Sequence, residues 1–403
     1  MAALASSAPP ATALGGAALT PPVSLPQTSS SRQSFAAHGH ALMPTPFLSP
    51  SAVSALHHAL ERLVRHDYDA APGKRGGGAP DKPCKKINVP LAANGSSMGY
   101  PVPLTPQQHK IRPLGFSGNT DNVKTIQIVN TWKASLEFER LVLSPALGRF
   151  VHELTGWSSV RVIQDQAWLK PPAASGLGFH RDRGYFMFRK KEVPPNALEL
   201  AADVAVDVAE QGYKNGVRVV TLWLTLDDLD DELGPLEMVA GSHLWDRGGN
   251  SPSDSYEGTK SGANSNFFAH NHRYLALEAA KKEGVDPAAL DFVSTAGTKA
   301  GGGSLHDGDL WHGSAANKSK TRCRRGIGIH YVRGDVEWDV EAALHSKLWR
   351  PYVEAAAKAG DPKKVDEDAF PVVFRAATEA SRRAQEGAIR EEKPSIKDAL
   401  KNF

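Results

Sequence analysis

From Phe47 onward the apolar positions first recur at helical spacing. Ser49 can cap a helix whose first residue is Pro50, and Val53, Leu56, Leu60 and Leu63 follow on one face. A second amphipathic helix is predicted from Pro145 to Thr155, where Leu147, Phe150, Val151 and Leu154 share a side. After Gly156 the period drops to two. Val160, Val162, Gln164, Gln166 and Trp168 alternate with Arg161, Ile163, Asp165, Ala167 and Leu169. The same repeat runs through Val217–Leu226 and Arg324–Val332. Short strands parted by Gly/Pro turns predict a mainly β sandwich or barrel with flanking helices.

Other stretches interrupt this pattern. Residues 70–105 are rich in Gly, Pro and Lys and read as a loop. The stretch from Asp246 to Gly303 is polar, then helical from Tyr274 to Glu283, then Gly-rich, and reads as a lid or insertion. Beyond Asp335 the chain becomes charged and Ala-rich, which predicts surface helices and a loose tail over 336–403. The expected division is a disordered leader over 1–44, a main domain over 45–335 and that C-terminal extension. The leader holds no Asp or Glu before Glu61 and is rich in Ser, Ala and Pro. Such a start reads as an organellar (plastid or mitochondrial) transit peptide, with a plain disordered tail on a cytoplasmic or peroxisomal protein as the alternative.

Composition narrows the classes. The net charge of +3 is spread through mixed-sign stretches such as Arg390–Lys393 and makes no nucleic-acid footprint. No apolar run is long enough to span a bilayer. The two cysteines, Cys84 and Cys323, lie far apart without CxxC spacing, which argues against a disulfide framework. Nothing in the pattern specifies an oligomeric state.

The sharpest local signal is Gly178-Phe179-His180-Arg181-Asp182-Arg183-Gly184-Tyr185. On a strand His180 and Asp182 would face one point, and with a second His they form the facial triad of non-haem iron oxygenases. An HxD alone is expected about once by chance in a chain of this composition. Here it is followed by Gly308-Asp309-Leu310-Trp311-His312-Gly313-Ser314, and then by an arginine-led strand at Arg324. A fixed guanidinium there can hold the far carboxylate of a keto acid in a bidentate grip. The order HxD, His, Arg is far more specific than its parts.

Over residues 120–333 the chain resembles the phytanoyl-CoA dioxygenase family. The matching words are Trp168-Leu169-Lys170-Pro171-Pro172, His180-Arg181-Asp182 with Tyr185-Phe186-Met187-Phe188, and Thr221-Leu222-Trp223-Leu224. They continue with Gly234-Pro235-Leu236-Glu237-Met238-Val239, Gly241-Ser242-His243 and His312-Gly313-Ser314 with Asn317. The resemblance implies a double-stranded β-helix (jelly-roll, cupin-like) core and a 2-oxoglutarate-dependent dioxygenase. It implies Fe(II) as cofactor, 2-oxoglutarate and O2 as co-substrates, and ascorbate as an optional reductant. His180, Asp182 and His312 are then the metal ligands. Arg324 and Ser314 anchor the co-substrate, with Gln166 facing it and Trp223 walling the pocket. The gap from His312 to Arg324 is one residue longer than the family pattern leads us to expect, so Arg322 and Arg325 stay open as alternatives; strand parity favours Arg324. The family's upstream lysine contact has no assigned counterpart.

Other signals carry less. His270-Asn271-His272 lacks the glutamate and Gly-framed strand of a cupin metal site and reads as polar lid. His306 precedes the turn at Asp309 and fits a ligand role less well than His312. His57-His58 read as solvated, His243 as structural, and the acidic run Asp227 to Glu232 as a solvated turn. In related halogenases the triad carboxylate is missing to admit a halide, so Asp182 points to hydroxylation of a small-molecule or acyl, including acyl-CoA, substrate. The rival is a non-catalytic jelly-roll binding protein that has kept the motif.

Overall fold

The computed structural model describes residues 28–64, 69, 91–92, 116–117, 124–190, 217–245, 272–346 and 348–376. In chain order the leading elements are helix α1 (Thr28–His38), strand β1 (His40–Met43), helix α2 (Pro50–Val64) and strands β2 (Leu91–Ala92), β3 (Phe116–Ser117) and β4 (Lys124–Val129). Helices α3 (Leu136–Val142) and α4 (Pro145–Thr155) lead into strands β5 (Ser159–Lys170), β6 (Leu177–His180) and β7 (Phe188–Lys190). Strands β8 (Val220–Thr225) and β9 (Leu236–Val239), helix α5 (Tyr274–Lys282), and strands β10 (Phe292–Ser294), β11 (Gly303–Asp307), β12 (His312–Ser314), β13 (Arg324–Arg333) and β14 (Val336–Trp338) follow. Helices α6 (Val340–His345) and α7 (Arg350–Lys358) precede the last strand, β15 (Val372–Arg375).

Among the described residues every strand pairing is antiparallel. The major sheet runs β1-β11-β8-β13-β5-β4-β2, with β15 also on β5 and β3 on β4; the minor sheet runs β10-β9-β12-β6. Together they make the jelly roll. Its outer face is covered by α1 to α4, which bury Phe35, Leu56, Leu60, Phe138 and Phe150 against Leu222, Leu224, Ile327 and Ile329 of the major sheet. A second core of Phe188, Trp338, Trp349 and Phe370 lies toward the C-terminal helices. There Phe188 stacks on Trp338 with ring centres 4.5 Å apart.

The helices predicted from Pro50, from Pro145 and from Tyr274 all form. Ser49 Oγ accepts from Ala52 N at 3.2 Å, and α4 buries Leu147, Phe150, Val151 and Leu154. Three expectations are corrected. Ordered structure begins before Phe47: α1 and β1 lie within the expected leader, and β1 pairs with β11 from His40↔His306 to Met43↔Gly303. Residues 1–27, and almost all of the expected 70–105 loop, lie outside the described residues. The expected 246–303 insertion is only partly separate, because β10 pairs with β9 and Gly303 opens β11 in the major sheet. The C-terminal extension is not all helix and tail, since β15 pairs with the first residues of β5. Short polar-flanked strands such as β1 give too few alternations to be seen in a period-two search.

Strand β5 also departs from simple alternation. Its pairing with β13 matches Gln164↔His330 and then Val162↔Tyr331, so Ile163 is an extra residue. A bulge of this kind flips the strand. Val160 and Val162 face the helical layer, whereas Gln166 and Trp168 turn to the interior cavity.

Candidate metal centre and co-substrate pocket

The minor sheet brings the HxD histidine and the second histidine together directly. His180 on β6 and His312 on β12 are cross-strand partners, with ring centres 4.3 Å apart. Asp182 reaches the same point by a different route from the one expected. Strand β6 ends at His180, and Asp182 takes right-handed helical angles (φ −71°, ψ −35°) ahead of a 3-10 turn over Arg183–Tyr185. The turn, not strand parity, aims the carboxylate. Asp182 Oδ1 lies 3.7 Å from His180 Nε2 and 3.5 Å from His312 Nε2. Among the described residues this is the one cluster whose ligand atoms all fall within 4.8 Å of one another.

The donor set fits a metal ion. Nδ1 of His180 sits 2.9 Å from Gly178 O, and Nδ1 of His312 sits 2.9 Å from Leu310 O. A carbonyl can only accept, so each Nδ1 carries the hydrogen and each Nε2 offers its lone pair to the cluster. Two nitrogens and one oxygen suit ferrous iron and leave coordination positions free. Burial, more than the neighbouring His312 ring, takes the His180 imidazole down to about 3. Burial would raise the Asp182 carboxyl. The surrounding imidazoles of His312, His330 and His306 outweigh it and hold Asp182 well below the usual range.

Two residues that sequence reasoning missed, Thr221 and His330, and one that it weighed only as a ligand, His306, hold the other carboxylate oxygen. Thr221 Oγ1 donates to Asp182 Oδ2 at 2.6 Å. His306 Nε2 lies 3.4 Å and His330 Nδ1 3.5 Å from the same oxygen. Thr221 Oγ1 is also 2.9 Å from His330 Nδ1. Having given its hydrogen to the carboxylate, the hydroxyl accepts here, so His330 is protonated at Nδ1. All three come from the major sheet. Their signal was present, since Thr221 shares a strand face with Trp223 and His330 shares one with Arg324.

All seven nominated residues line one cavity: Gln166, His180, Asp182, Trp223, His312, Ser314 and Arg324. Arg324 Nη2 points to Ser314 Oγ at 3.4 Å, and its Cζ lies 5.6 Å from the Trp223 ring centre. Its Nε is buried without a partner. Burial lowers its guanidinium to about 10. Arg322 instead pairs with Asp230 and Glu232 at the surface, and Arg325 engages Asp227 and His57. Gln166 is tied into a glutamine chain, donating to Gln164 at 2.7 Å and accepting from Gln127 at 2.8 Å. Lys170, assigned no role from sequence, is fully buried and donates to Ser314 Oγ at 2.8 Å.

The remaining candidates resolve elsewhere. His270 and Asn271 lie outside the described residues, and His272 bonds to Glu237 at 2.9 Å. His57 is not solvated, because Nε2 sits 2.6 Å from Leu226 O. Arg325, Lys299 and Arg322 pair with acids of the 227–232 run. His243 is buried, with its ring against Gly39, where an added Cβ would come within 2.5 Å.

A jelly roll with a buried His-Asp-His cluster beside an unpaired arginine defines the non-haem iron, 2-oxoglutarate-dependent oxygenases. The sequence matches the family described as Phytanoyl-CoA dioxygenase (PhyH) over residues 35–326. The chain belongs to that family. Its cofactor and co-substrate are therefore iron and 2-oxoglutarate.

Among solved structures, the chain is similar to the non-heme alpha ketoglutarate dependent epimerase SnoN from nogalamycin biosynthesis. The two are 15% identical, with a TM-score of 0.51 over 86% of this chain and 98% of that one. SnoN in complex with Fe3+, alpha ketoglutarate and nogalamycin RO gives 16% identity and a TM-score of 0.50 over 86% and 98%. AviO1 from Streptomyces viridochromogenes Tue57 is 19% identical over 76% of this chain and 96% of that one, with a TM-score of 0.41. No curated protein sequence matches.

Proposed function

We propose that this oxygenase hydroxylates a C–H bond of a small-molecule or acyl substrate, an acyl-CoA thioester included. The observation that carries the reading is the complete triad with its carboxylate in place, Asp182 Oδ1 lying between two Nε2 atoms at 3.5 and 3.7 Å. His180, Asp182 and His312 are the ligands, and with the carboxylate present no position is given over to a halide. Fe(II) held by these three side chains would, with 2-oxoglutarate and O2, supply an oxidation whose products are succinate, CO2 and the hydroxylated substrate.

The chain's own residues bind and orient. Arg324 and Ser314 grip the far carboxylate of the keto acid, Trp223 walls the pocket, and Gln166 is fixed by its neighbours so that it presents one face to the co-substrate. Thr221 keeps Asp182 from rotating. Substrate selection falls to the segments over 70–120 and 246–303.

The test is succinate release from 2-oxoglutarate by Fe(II)-loaded protein under air, with a panel of acyl-CoAs and small polar metabolites. Iron-dependent succinate that disappears in Asp182→Ala supports the reading, and stimulation by one compound names the substrate class. Unchanged turnover in Asp182→Ala refutes the ligand assignment. No succinate with any compound, and no anaerobic 2-oxoglutarate binding, would favour a non-catalytic binding protein instead.

A further inference from the structure

Lys170 at the end of β5 stands directly opposite Arg324 at the start of β13. Both are buried, at 0% and 2% exposure. Like charges facing each other across a strand pair repel, and a buried cation without a counter-ion is strongly destabilising. Among the described residues no carboxylate pairs with either. Glu237 and Asp227 act on them only from a distance and are engaged by Arg273 and Arg325. The two cations instead converge on one neutral atom: Lys170 Nζ donates to Ser314 Oγ at 2.8 Å, and Arg324 Nη2 approaches it at 3.4 Å. Lys170 also donates to Ala315 O at 2.6 Å.

A hydroxyl oxygen has two lone pairs. With both turned to cations, the hydrogen of Ser314 must point away from them, into the cavity that Ser314 and Arg324 line. The result is a donor set with two basic groups and no anion of its own.

We propose that Lys170 is a positioning and selectivity residue of the co-substrate pocket. It forces the Ser314 hydroxyl to donate toward the cavity, and it supplies a second positive charge matched to a keto acid that carries a far carboxylate. The inference rests on 2-oxoglutarate being the co-substrate held by Arg324. Burial and the Arg324 charge hold the Lys170 ammonium well below the usual lysine range, so an arriving carboxylate relieves both groups at once.

The experiment is anaerobic calorimetric titration of Fe(II)-loaded protein with 2-oxoglutarate and, separately, with oxalate, which chelates metal but has no far carboxylate. Lys170→Met should weaken 2-oxoglutarate about tenfold or more and leave oxalate within about twofold. The ligand-free melting temperature should stay level or rise, because a buried charge has gone; a merely structural lysine would lower it. In a Ser314→Ala background the same change should cost distinctly less, since the hydroxyl it orients is missing. Lys170→Gln, which keeps a donor without the charge, should give intermediate affinity and serves if the methionine variant does not fold. Wild-type affinity in the folded variants, or equal losses for both ligands, would overturn the proposal while leaving the oxygenase reading intact. If wild-type protein bound oxalate but no 2-oxoglutarate, the co-substrate reading would fall and this inference with it.

Discussion

Replacing Thr221 with valine removes one hydroxyl and little volume from the interior of the jelly roll. That hydroxyl donates to Asp182 Oδ2 at 2.6 Å in a site only 2% exposed. A hydrogen bond to a buried charged group contributes about 1.5–3 kcal/mol, which is about a 10- to 150-fold change in an equilibrium constant. His306 and His330 lie 3.4 and 3.5 Å from the same oxygen and will recover part of it. We therefore expect the Fe(II) affinity of Thr221→Val to fall about 10- to 30-fold, within the span usual for residues that orient a metal ligand. Anaerobic competition against a chromophoric Fe(II) chelator measures this directly. Thr221→Ser, which keeps the hydroxyl, should stay within about threefold of wild type. If valine and serine variants bound Fe(II) equally well, Thr221 would not be the group that fixes the carboxylate, and the orientation of Asp182 would have to come from His306 and His330 alone.

Two glycines on β13 should part company. A Cβ on Gly326 would come within 2.9 Å of both Leu224 O and Trp223 Cζ2, whereas at Gly328 the nearest atom is Thr221 Cγ2 at 3.7 Å. Gly326→Ala should thus cost about 1–3 kcal/mol of stability. Gly328→Ala should melt near wild type yet raise the KM for 2-oxoglutarate severalfold by narrowing the cavity; equal melting temperatures for the two would refute the packing argument. A third prediction concerns pH. Burial pushes the Asp165 carboxyl up to about 6, against hydrogen bonds from Thr131 and Trp132. A carboxyl raised in the fold contributes stability that is whole below its unfolded value near 3.8 and is lost as pH climbs through 6. Between pH 4 and 7 wild type should lose about 2 kcal/mol that Asp165→Asn does not, so parallel urea-denaturation profiles would exclude the effect.

The long elements were legible because they repeat often enough to be read. Helix α4 and strands β5 and β13 each carry several periods, and their bounds follow from Pro145, Gly156 and the Gly/Pro turns. What escaped was of two kinds. β1 and β15 are four residues each and gain their stability from partners distant in sequence. The bulge at Ile163 is a tertiary adjustment that alternation cannot signal, since Val162 and Gln164 keep even numbers while changing faces. At the site the nominated residues do converge, yet a continuous strand was expected to align His180 with Asp182, and the chain turns between them. Lys170, Thr221 and His330 were given no role because polar residues in a strand read as its solvent face, whereas this face encloses a cavity; His306 was weighed only as a metal ligand, not as a support for one.

The two sheets contribute unequally to the centre, and this has a mechanical consequence. His180, Asp182 and His312 belong to the minor sheet or the turn leaving it, while Thr221, His306, His330 and Arg324 all belong to the major one. A single carboxylate therefore acts as a rivet, with one oxygen turned to the ligand cluster and the other fastened across the sandwich. Shear between the two leaves would load Asp182 together with the Lys170–Ser314 bond, so the distance from the reacting centre to the Arg324 anchor is gauged by the joints that also carry the load.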